Sequence, residues 1–485
     1  MGGYPKDGIG QDLEDPHSAS VSAASETRAQ WRRGIEMRLT RVLKHGWFPW
    51  AGRVAMLAFL LLLTFAVFFG SPDPRLNFAT VMCWTAWWPL MAISYLVVGR
   101  IWCAVCPMGA LSELVHRWLG LNLKAPSLFK HGYIVAAILF FAVLYQAWVE
   151  EVARAAVSPL VTGFILWSFT VGAVVGGLIF ERWTWCRHFC PLGAWTGVFA
   201  MSSLVEVRAD PQVCVEAECK GIYCYFGRDQ LPGCPFHQVP KTMQTNRYCS
   251  ACGNCIKACP NSAITVRLRP PGLEFLSQRR DMVGNALIGV VALGVVGFQA
   301  FVMTEPWARF REDVSTNPVL ANDALLYGGT LLVFVATAVG SFILASRVFT
   351  LLTRTSCSAE ICRFGFAFLP LALAAHIGHN LVHFLNGYQL IPTAVVGLIG
   401  LGPRASAVGP LAGSTVLVGP ASLHWIEMAM VLFGMGVALW LVWRLCHSRT
   451  TAYPHLILAA PYVALAVAYA LAFAVVFTLP MATRL

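Results

Sequence analysis

The sequence predicts a polytopic α-helical membrane protein of about nine transmembrane helices, interrupted by a small soluble α+β insert. Three observations predict it. Of 485 residues, 57% are hydrophobic and only 12% charged, where soluble proteins carry about a quarter charged residues. Apolar runs recur at the length of about 20 residues that a hydrocarbon core demands at about 1.5 Å per residue. Between residues 204 and 280 the apolar pattern gives way to a polar stretch in which cysteines crowd together. The net charge of +11 then reads as membrane-surface and topology charge, not as a nucleic-acid footprint.

Taken in order, residues 1–50 divide into a polar tail, expected to be disordered to about residue 27, and a basic juxtamembrane helix. That helix, Trp31 to Trp47, interleaves Arg32, Arg33, Arg38, Arg41 and Lys44 with Ile35, Met37, Leu39, Val42 and Leu43, a pattern suited to an anionic membrane surface and to a cytoplasmic N-terminus. It is not expected to be a cleavable signal, because the apolar run starts only near residue 51. Residues 51–203 form a four-helix membrane region with spans near Val54 to Gly70, Phe78 to Val98, Tyr133 to Val149 and Leu160 to Phe180. The second span ends in Trp102-Cys103-Ala104-Val105-Cys106-Pro107, and the fourth in Trp185-Cys186, then Cys190-Pro191. This is an internal repeat of two hairpins, each finishing in Trp-Cys, a second cysteine and Pro-(Met/Leu)-Gly-Ala. Cys103, Cys106, Cys186 and Cys190 are candidates for a further cluster, for redox dithiols, or for small reduced core residues.

Residues 204–280 contain Cys249-Ser-Ala-Cys252-Gly-Asn-Cys255-Ile-Lys-Ala-Cys259-Pro260. This bacterial-ferredoxin spacing suits a [4Fe-4S] cubane, and its fourth cysteine ordinarily ligates the other cluster of a pair. The partner loop is Cys214, Cys219, Cys224 and Cys234, the last followed by Pro235. Crossed ligation assigns Cys249, Cys252, Cys255 and Cys234 to one cubane, and Cys259, Cys214, Cys219 and Cys224 to the other; the alternative is free thiols beside a single cluster. Strands are expected at Leu204–Arg208 and Ala263–Val266. The insert is thus a ferredoxin-like two-cluster domain on the cytoplasmic side, and sixteen cysteines point to metal ligation rather than disulfides.

Residues 281–485 form a C-terminal membrane region of about five helices. Spans fall near Val283 to Met303, Leu325 to Ala345, Phe366 to Leu385, Leu423 to Leu445 and Leu456 to Leu479, while Ile391 to Gly402 is too short to cross. Nine crossings put the C-terminus outside. The third of these spans carries His376, His379 and His383 on one helical face, and ionisable groups inside a bilayer are functional candidates. His383 and His424 are candidate ligands of a b-type haem. His376, His379 and Glu427 are candidates for a transition-metal site or for quinol and proton handling, with hydrogen-bonded core histidines as the alternative.

The paired hairpins ending in Trp-Cys and Cys-Pro, followed by a ferredoxin insert, resemble the membrane ferredoxin-type proteins of the NapH, MauN and NosR group, over about residues 50 to 275. Those belong to periplasmic nitrate reductase, methylamine and nitrous oxide reductase systems. The resemblance implies electron transfer at the bacterial cytoplasmic (inner) membrane, between a cytoplasmic donor or the quinol pool and a membrane or periplasmic oxidoreductase. A redox-sensing or metal-reducing maturation factor for a periplasmic metalloenzyme is the alternative. Two departures stand out: the first cysteine pair has two intervening residues where the family commonly has three, and the C-terminal region extends beyond the NapH plan. No phosphate-cradling loop, dinucleotide fingerprint or nucleophile triad is recognisable, so the chain carries relay parts rather than a site that converts a substrate.

Overall fold

The computed structural model describes residues 16–126, 143, 148–277, 283–317, 321–398, 419–448 and 454–482. Among them, helices α2 (Trp50–Phe69), α3 (Phe78–Val98), α5 (Pro159–Ile179), α7 (Val283–Phe301), α8 (Asp323–Thr353), α11 (Pro420–His447) and α12 (His455–Thr478) are long and apolar enough to cross a membrane. An eighth crossing is formed by a bent pair, α9 (Cys357–Phe364) and α10 (Leu369–Gly387), which meet at 42°. The chain is therefore a polytopic helical membrane protein. The seven long helices start close to their expected residues, whereas the bent pair begins at Cys357, ahead of the expected Phe366; the expected third span, Tyr133 to Val149, lies largely outside the described residues, as does the start of the polar tail.

Local chemistry explains where the helices begin. Asn77 caps α3 by accepting from the backbone N–H groups of Ala79 and Thr80, and Ser158 caps α5 ahead of Pro159, which suits a first helical position. Within α3, residues Met82–Trp87 are wound as a π-helix, and Trp84 inside it donates to Thr162 on α5 at 2.9 Å. The two hairpins are fastened at their cysteine ends by Glu113, on α4 (Pro107–Leu119), which bridges Arg53 at 2.7 Å and also Arg182. Burial alone would raise its pKa, but Arg182 and Arg53 hold the carboxyl below its ordinary value.

In the insert, β1 (Val205–Ala209) and β2 (Ile264–Leu268) pair antiparallel with Val207 opposite Val266. Their inward residues Val207, Ala209, Ile264 and Val266 make a small core with Ile256 and the cysteines Cys214, Cys224 and Cys252. The N-terminal helix α1 (Pro16–Lys44) begins where the sequence suggests disorder, at a proline followed by several alanines and serines; proline is tolerated in a first turn and alanine favours helix. Nor is α1 simply a membrane-surface helix: Glu36 and Thr40 accept from the backbone N–H groups of Leu268 and Val266 at 2.7 and 3.0 Å, and Leu43 enters the insert core. The exposed edge of β2 needed acceptors for its unpaired N–H groups, and two side chains of α1 supply them.

In the C-terminal region α7 is the enclosed central helix, with most of its apolar window buried. It crosses the α9–α10 bend so closely that a side chain at Gly365 would meet the Ala286 carbonyl at 2.5 Å. Helix α10 also lies beside α11, where Gly434 lets Leu371 and Ala374 approach. The short apolar run near residue 391 starts as a nine-residue helix, Leu390–Leu398, whose Ala394 packs with Phe78 and Ala79 at the start of α3; the remainder of that run lies outside the described residues.

Candidate functional site

The hairpin cysteines converge. Cys103 sits in the short helix Ile101–Val105 and Cys106 caps α4. Cys186 sits in the π-helical turn Trp185–Phe189 and Cys190 caps α6 (Pro191–Phe199). The repeated Cys-Pro has one structural meaning: proline opens a helix because its missing N–H is not needed there, which leaves cysteine as the cap facing the other N–H groups. Cys190 Sγ accepts from Gly193 N at 3.2 Å. A side chain at position 193 would press on Arg100 at 2.9 Å and on the Cys186 carbonyl at 3.0 Å, so glycine permits the close approach. All four sulfurs line a single cavity of about 180 Å³, whose membrane wall includes Trp84, Trp87 and Trp88.

Burial pushes the Cys106 thiol up to about 11 and that of Cys190 up to about 12, and lifts Cys186 well above its ordinary value. Neighbouring thiolates add to the rise in each: Cys103 acts on Cys106, and Cys190, Cys106 and Cys103 act on Cys186. Burial thus favours the protonated form of Cys106, Cys186 and Cys190 until a cation replaces the protons, which is what ligation to iron does.

Arg100 ties this set to the insert. Only 3% exposed, it donates from Nε to Cys103 Sγ at 3.3 Å, from Nη2 to the Cys186 carbonyl at 3.1 Å and from Nη1 to the Arg247 carbonyl at 2.9 Å. Its guanidinium also lies 4.4 Å from the centre of the Phe236 ring. Burial would favour the neutral form, but the charges of Cys103, Cys186 and Cys190 raise its pKa. Arg247 and Phe236 each lie two residues from a cysteine of the insert, Cys249 and Cys234, so one buried cation touches the surroundings of two cysteine sets.

Within the insert the cysteines fall into two groups. Cys234, Cys249, Cys252 and Cys255 line one small cavity, and Cys255 is lifted well above its ordinary value by burial and then by Cys252, Cys249 and Cys234. Cys214 and Cys224 instead feel Cys219 and Cys259; burial followed by Cys219 pushes Cys224 up to about 11. The groups are joined by the Cys234 N–H donating to the Cys224 carbonyl at 2.9 Å. The loop closes only with glycine at 253, whose φ is +75° and whose added Cβ would lie 2.2 Å from the Leu43 carbonyl. Among the described residues no three His, Cys, Asp or Glu side chains converge on a point that would hold a single ion. The ferredoxin-type spacing of the insert cysteines suits a cluster in which each sulfur meets a different metal atom.

The histidines are distributed differently from a shared site. His376 is stacked on Phe199 at 5.5 Å and lies edge-on to Trp195 at 5.6 Å and Trp88 at 6.4 Å, with Asn380 bonded to it. His379 and His383 face each other, and His383 also meets Met303. His424 contacts Glu427 at 3.4 Å. Cys357 and Cys362 lie five positions apart on α9, on different faces.

Arg100, Arg247, Phe236 and Met303 are not among the site residues that the sequence singles out. For Arg100 a signal existed, an arginine three residues before a cysteine, one helical turn away; for the others there was none, because their partners lie far along the chain.

The profile of a 4Fe-4S binding domain family matches residues 80–126 and 162–204, which are the two hairpin ends with Cys103, Cys106, Cys186 and Cys190. Similar proteins include YccM of Escherichia coli, 24% identical over 277 residues that make up 52% of this chain and 70% of YccM. The ferredoxin-type protein NapH of Escherichia coli is 27% identical over 37% of this chain and 66% of its own length. The regulatory protein NosR of Pseudomonas aeruginosa is 33% identical over 24% of this chain and 19% of its own length. No solved structure matches the chain significantly.

Proposed function

This chain is a relative of the ferredoxin-type membrane proteins of the NapH, MauN and NosR group, and from that premise we propose that it relays electrons across the inner face of the bacterial cytoplasmic membrane. The donor is a cytoplasmic protein or the quinol pool, and the acceptor a membrane or periplasmic oxidoreductase. Cys249, Cys252, Cys255 and Cys234 hold one [4Fe-4S] cluster, Cys259, Cys214, Cys219 and Cys224 a second, and Cys103, Cys106, Cys186 and Cys190 a third. Each bound cluster supplies one-electron chemistry at a potential set by burial and by hydrogen bonds to sulfur.

The chain's own residues supply the surroundings. Helix N-termini at Pro107 and Pro191 direct N–H groups at Cys106 and Cys190; Arg100 compensates thiolate charge and holds the hairpin set against the insert; tryptophans close the membrane side against water. The basic residues Arg53, Arg100, Arg117 and Arg182 cluster at the hairpin ends, which supports placing this end and the insert in the cytoplasm.

The observation that carries the proposal is the convergence of the four hairpin cysteines, from two stretches that a 4Fe-4S profile matches, beside an arginine that reaches the insert. Iron and sulfide counts on purified protein test it. About twelve irons per chain are expected, falling by about four in the C103S/C106S/C186S/C190S variant; an unchanged count removes the hairpin cluster. The name of NosR, a regulatory protein, favours a second reading, in which the clusters sense redox state or reduce a metal during maturation of a periplasmic metalloenzyme. Rapid reoxidation of the reduced protein by a quinone analogue supports the relay, whereas stoichiometric, single-turnover reduction of a metal ion supports maturation.

A further inference from the structure

Two imidazole nitrogens and a thioether sulfur meet just beyond the end of α7 that points away from the insert. Helix α7 begins soon after the insert and runs for 19 residues to Phe301, roughly 28 Å at 1.5 Å per residue, so this place is remote from the insert's cysteines. Met303 follows α7 directly, and His379 and His383 stand one turn apart on α10, a spacing that puts both imidazoles on one face. Their Nε2 atoms are 3.2 Å apart, and His383 Nε2 lies 3.1 Å from Met303 Sδ. The rings meet edge-on, with centres 4.6 Å apart at 87°. Met303 and His379 are both buried.

Both short contacts share one nitrogen, His383 Nε2. Of two neutral imidazoles meeting through Nε2, one donates and the other accepts, and the thioether is at best a weak acceptor. One proton on His383 would have to serve both His379 and Met303, while a cation between them engages all three lone pairs together. An i, i+4 histidine pair is a recurrent metal-binding arrangement. The third donor selects the metal: a thioether added to imidazoles favours soft, monovalent copper over harder ions. Charge selects in the same direction, since the donors are neutral and a divalent ion would keep its full charge within a membrane helix bundle.

We propose that His379, His383 and Met303 form a copper(I) site in the C-terminal membrane region, at the face opposite the insert. The site stands independently of the cysteine clusters and of the relay built on them.

The test uses the full-length protein purified anaerobically with its clusters intact, its free thiols blocked with N-ethylmaleimide, and copper(I) titrated in competition with bicinchoninate. Wild type is expected to hold one more copper than H379Q/H383Q, with nitrogen and sulfur scatterers in the copper X-ray absorption spectrum. M303L is expected to weaken that copper at least tenfold and to remove the sulfur scatterer. Iron and sulfide contents, unchanged in every variant, report that the fold survives. Equal copper binding by wild type and the double variant, or a purely thiolate copper spectrum, overturns the site and leaves a hydrogen-bonded histidine pair. Should the double variant not fold, M303L alone decides, because loss of the sulfur scatterer supports the site and an unaltered spectrum refutes it.

Discussion

The cysteine sets and the histidines of α10 both gather ligand-type side chains, yet they are built on opposite principles. Every hairpin cysteine sits at a helix end or in a single helical turn, where unsatisfied N–H groups and the helix dipole favour negative sulfur. His376, His379 and His383 sit inside one continuous helix, where the backbone is already bonded and the side chains must find partners laterally. His376 finds an aromatic enclosure, and His379 and His383 find each other. Helix ends can gather distant segments around one centre with compensating dipoles, whereas a helix face distributes its side chains to whatever neighbours each turn meets. The cysteine region also carries a buried compensating cation, Arg100, and a glutamate clamped by two arginines.

The comparison breaks most visibly at the insert. C255S is expected to remove about four irons per chain and one cluster signal from the paramagnetic spectrum, and an unchanged iron count would remove Cys255 from the ligand set. The next effect falls on Arg100. R100Q takes one positive charge from between the hairpin and insert cysteines, so midpoint potentials are expected to fall by roughly 70–100 mV, the scale of a unit charge several ångströms away at an effective dielectric of about 20. Redox titration checks this, with iron content as the control; R100K, which keeps the charge but not the planar fork, should recover most of the potential.

Glu113 gives a smaller, structural effect. E113Q is expected to cost about 1.5–3 kcal/mol by removing charge-assisted bonds to Arg53 and Arg182, read as a lower melting temperature in detergent. Because the folded pKa of Glu113 is depressed, its contribution is present above the unfolded value of about 4.5 and is lost as pH falls through the lower folded value. Wild type should therefore approach E113Q in stability only in that acid range; a difference that persists at still lower pH would show that the carboxylate charge is not responsible. The smallest effect is expected at His376. H376F preserves the stacking on Phe199 and should leave iron content and optical spectra unchanged, while a lost absorption band would make His376 a ligand.

Much of the plan was legible before folding. The described spans followed from length and hydropathy and both strands of the insert from alternation; the structure places Cys234 with Cys249, Cys252 and Cys255 on one cavity, while Cys214 and Cys224 lie near Cys219 and Cys259. Those features are local, or rest on a spacing that a cluster imposes on short loops. The role of α1 was not legible, because its hydrogen bonds to β2 span more than two hundred residues. The sequence offers His383 and His424 as candidate haem ligands, but it leaves the rotation of their helices undetermined; the structure turns His383 toward His379 and Met303, and His424 toward Glu427.

By itself, then, the sequence determined that this chain is a multi-pass helical membrane protein with repeated Cys-Pro ends and a two-group cysteine insert, since hydropathy, proline geometry and cysteine spacing act over a few residues. Only the tertiary structure decided that the two Cys-Pro ends face one cavity, that Arg100 joins this cavity to the insert, and that Met303 closes on a histidine pair. Each of those contacts depends on the azimuth and approach of packed helices, which are set by close fits such as Gly193 against Arg100 and Gly365 against Ala286, and no local pattern encodes them.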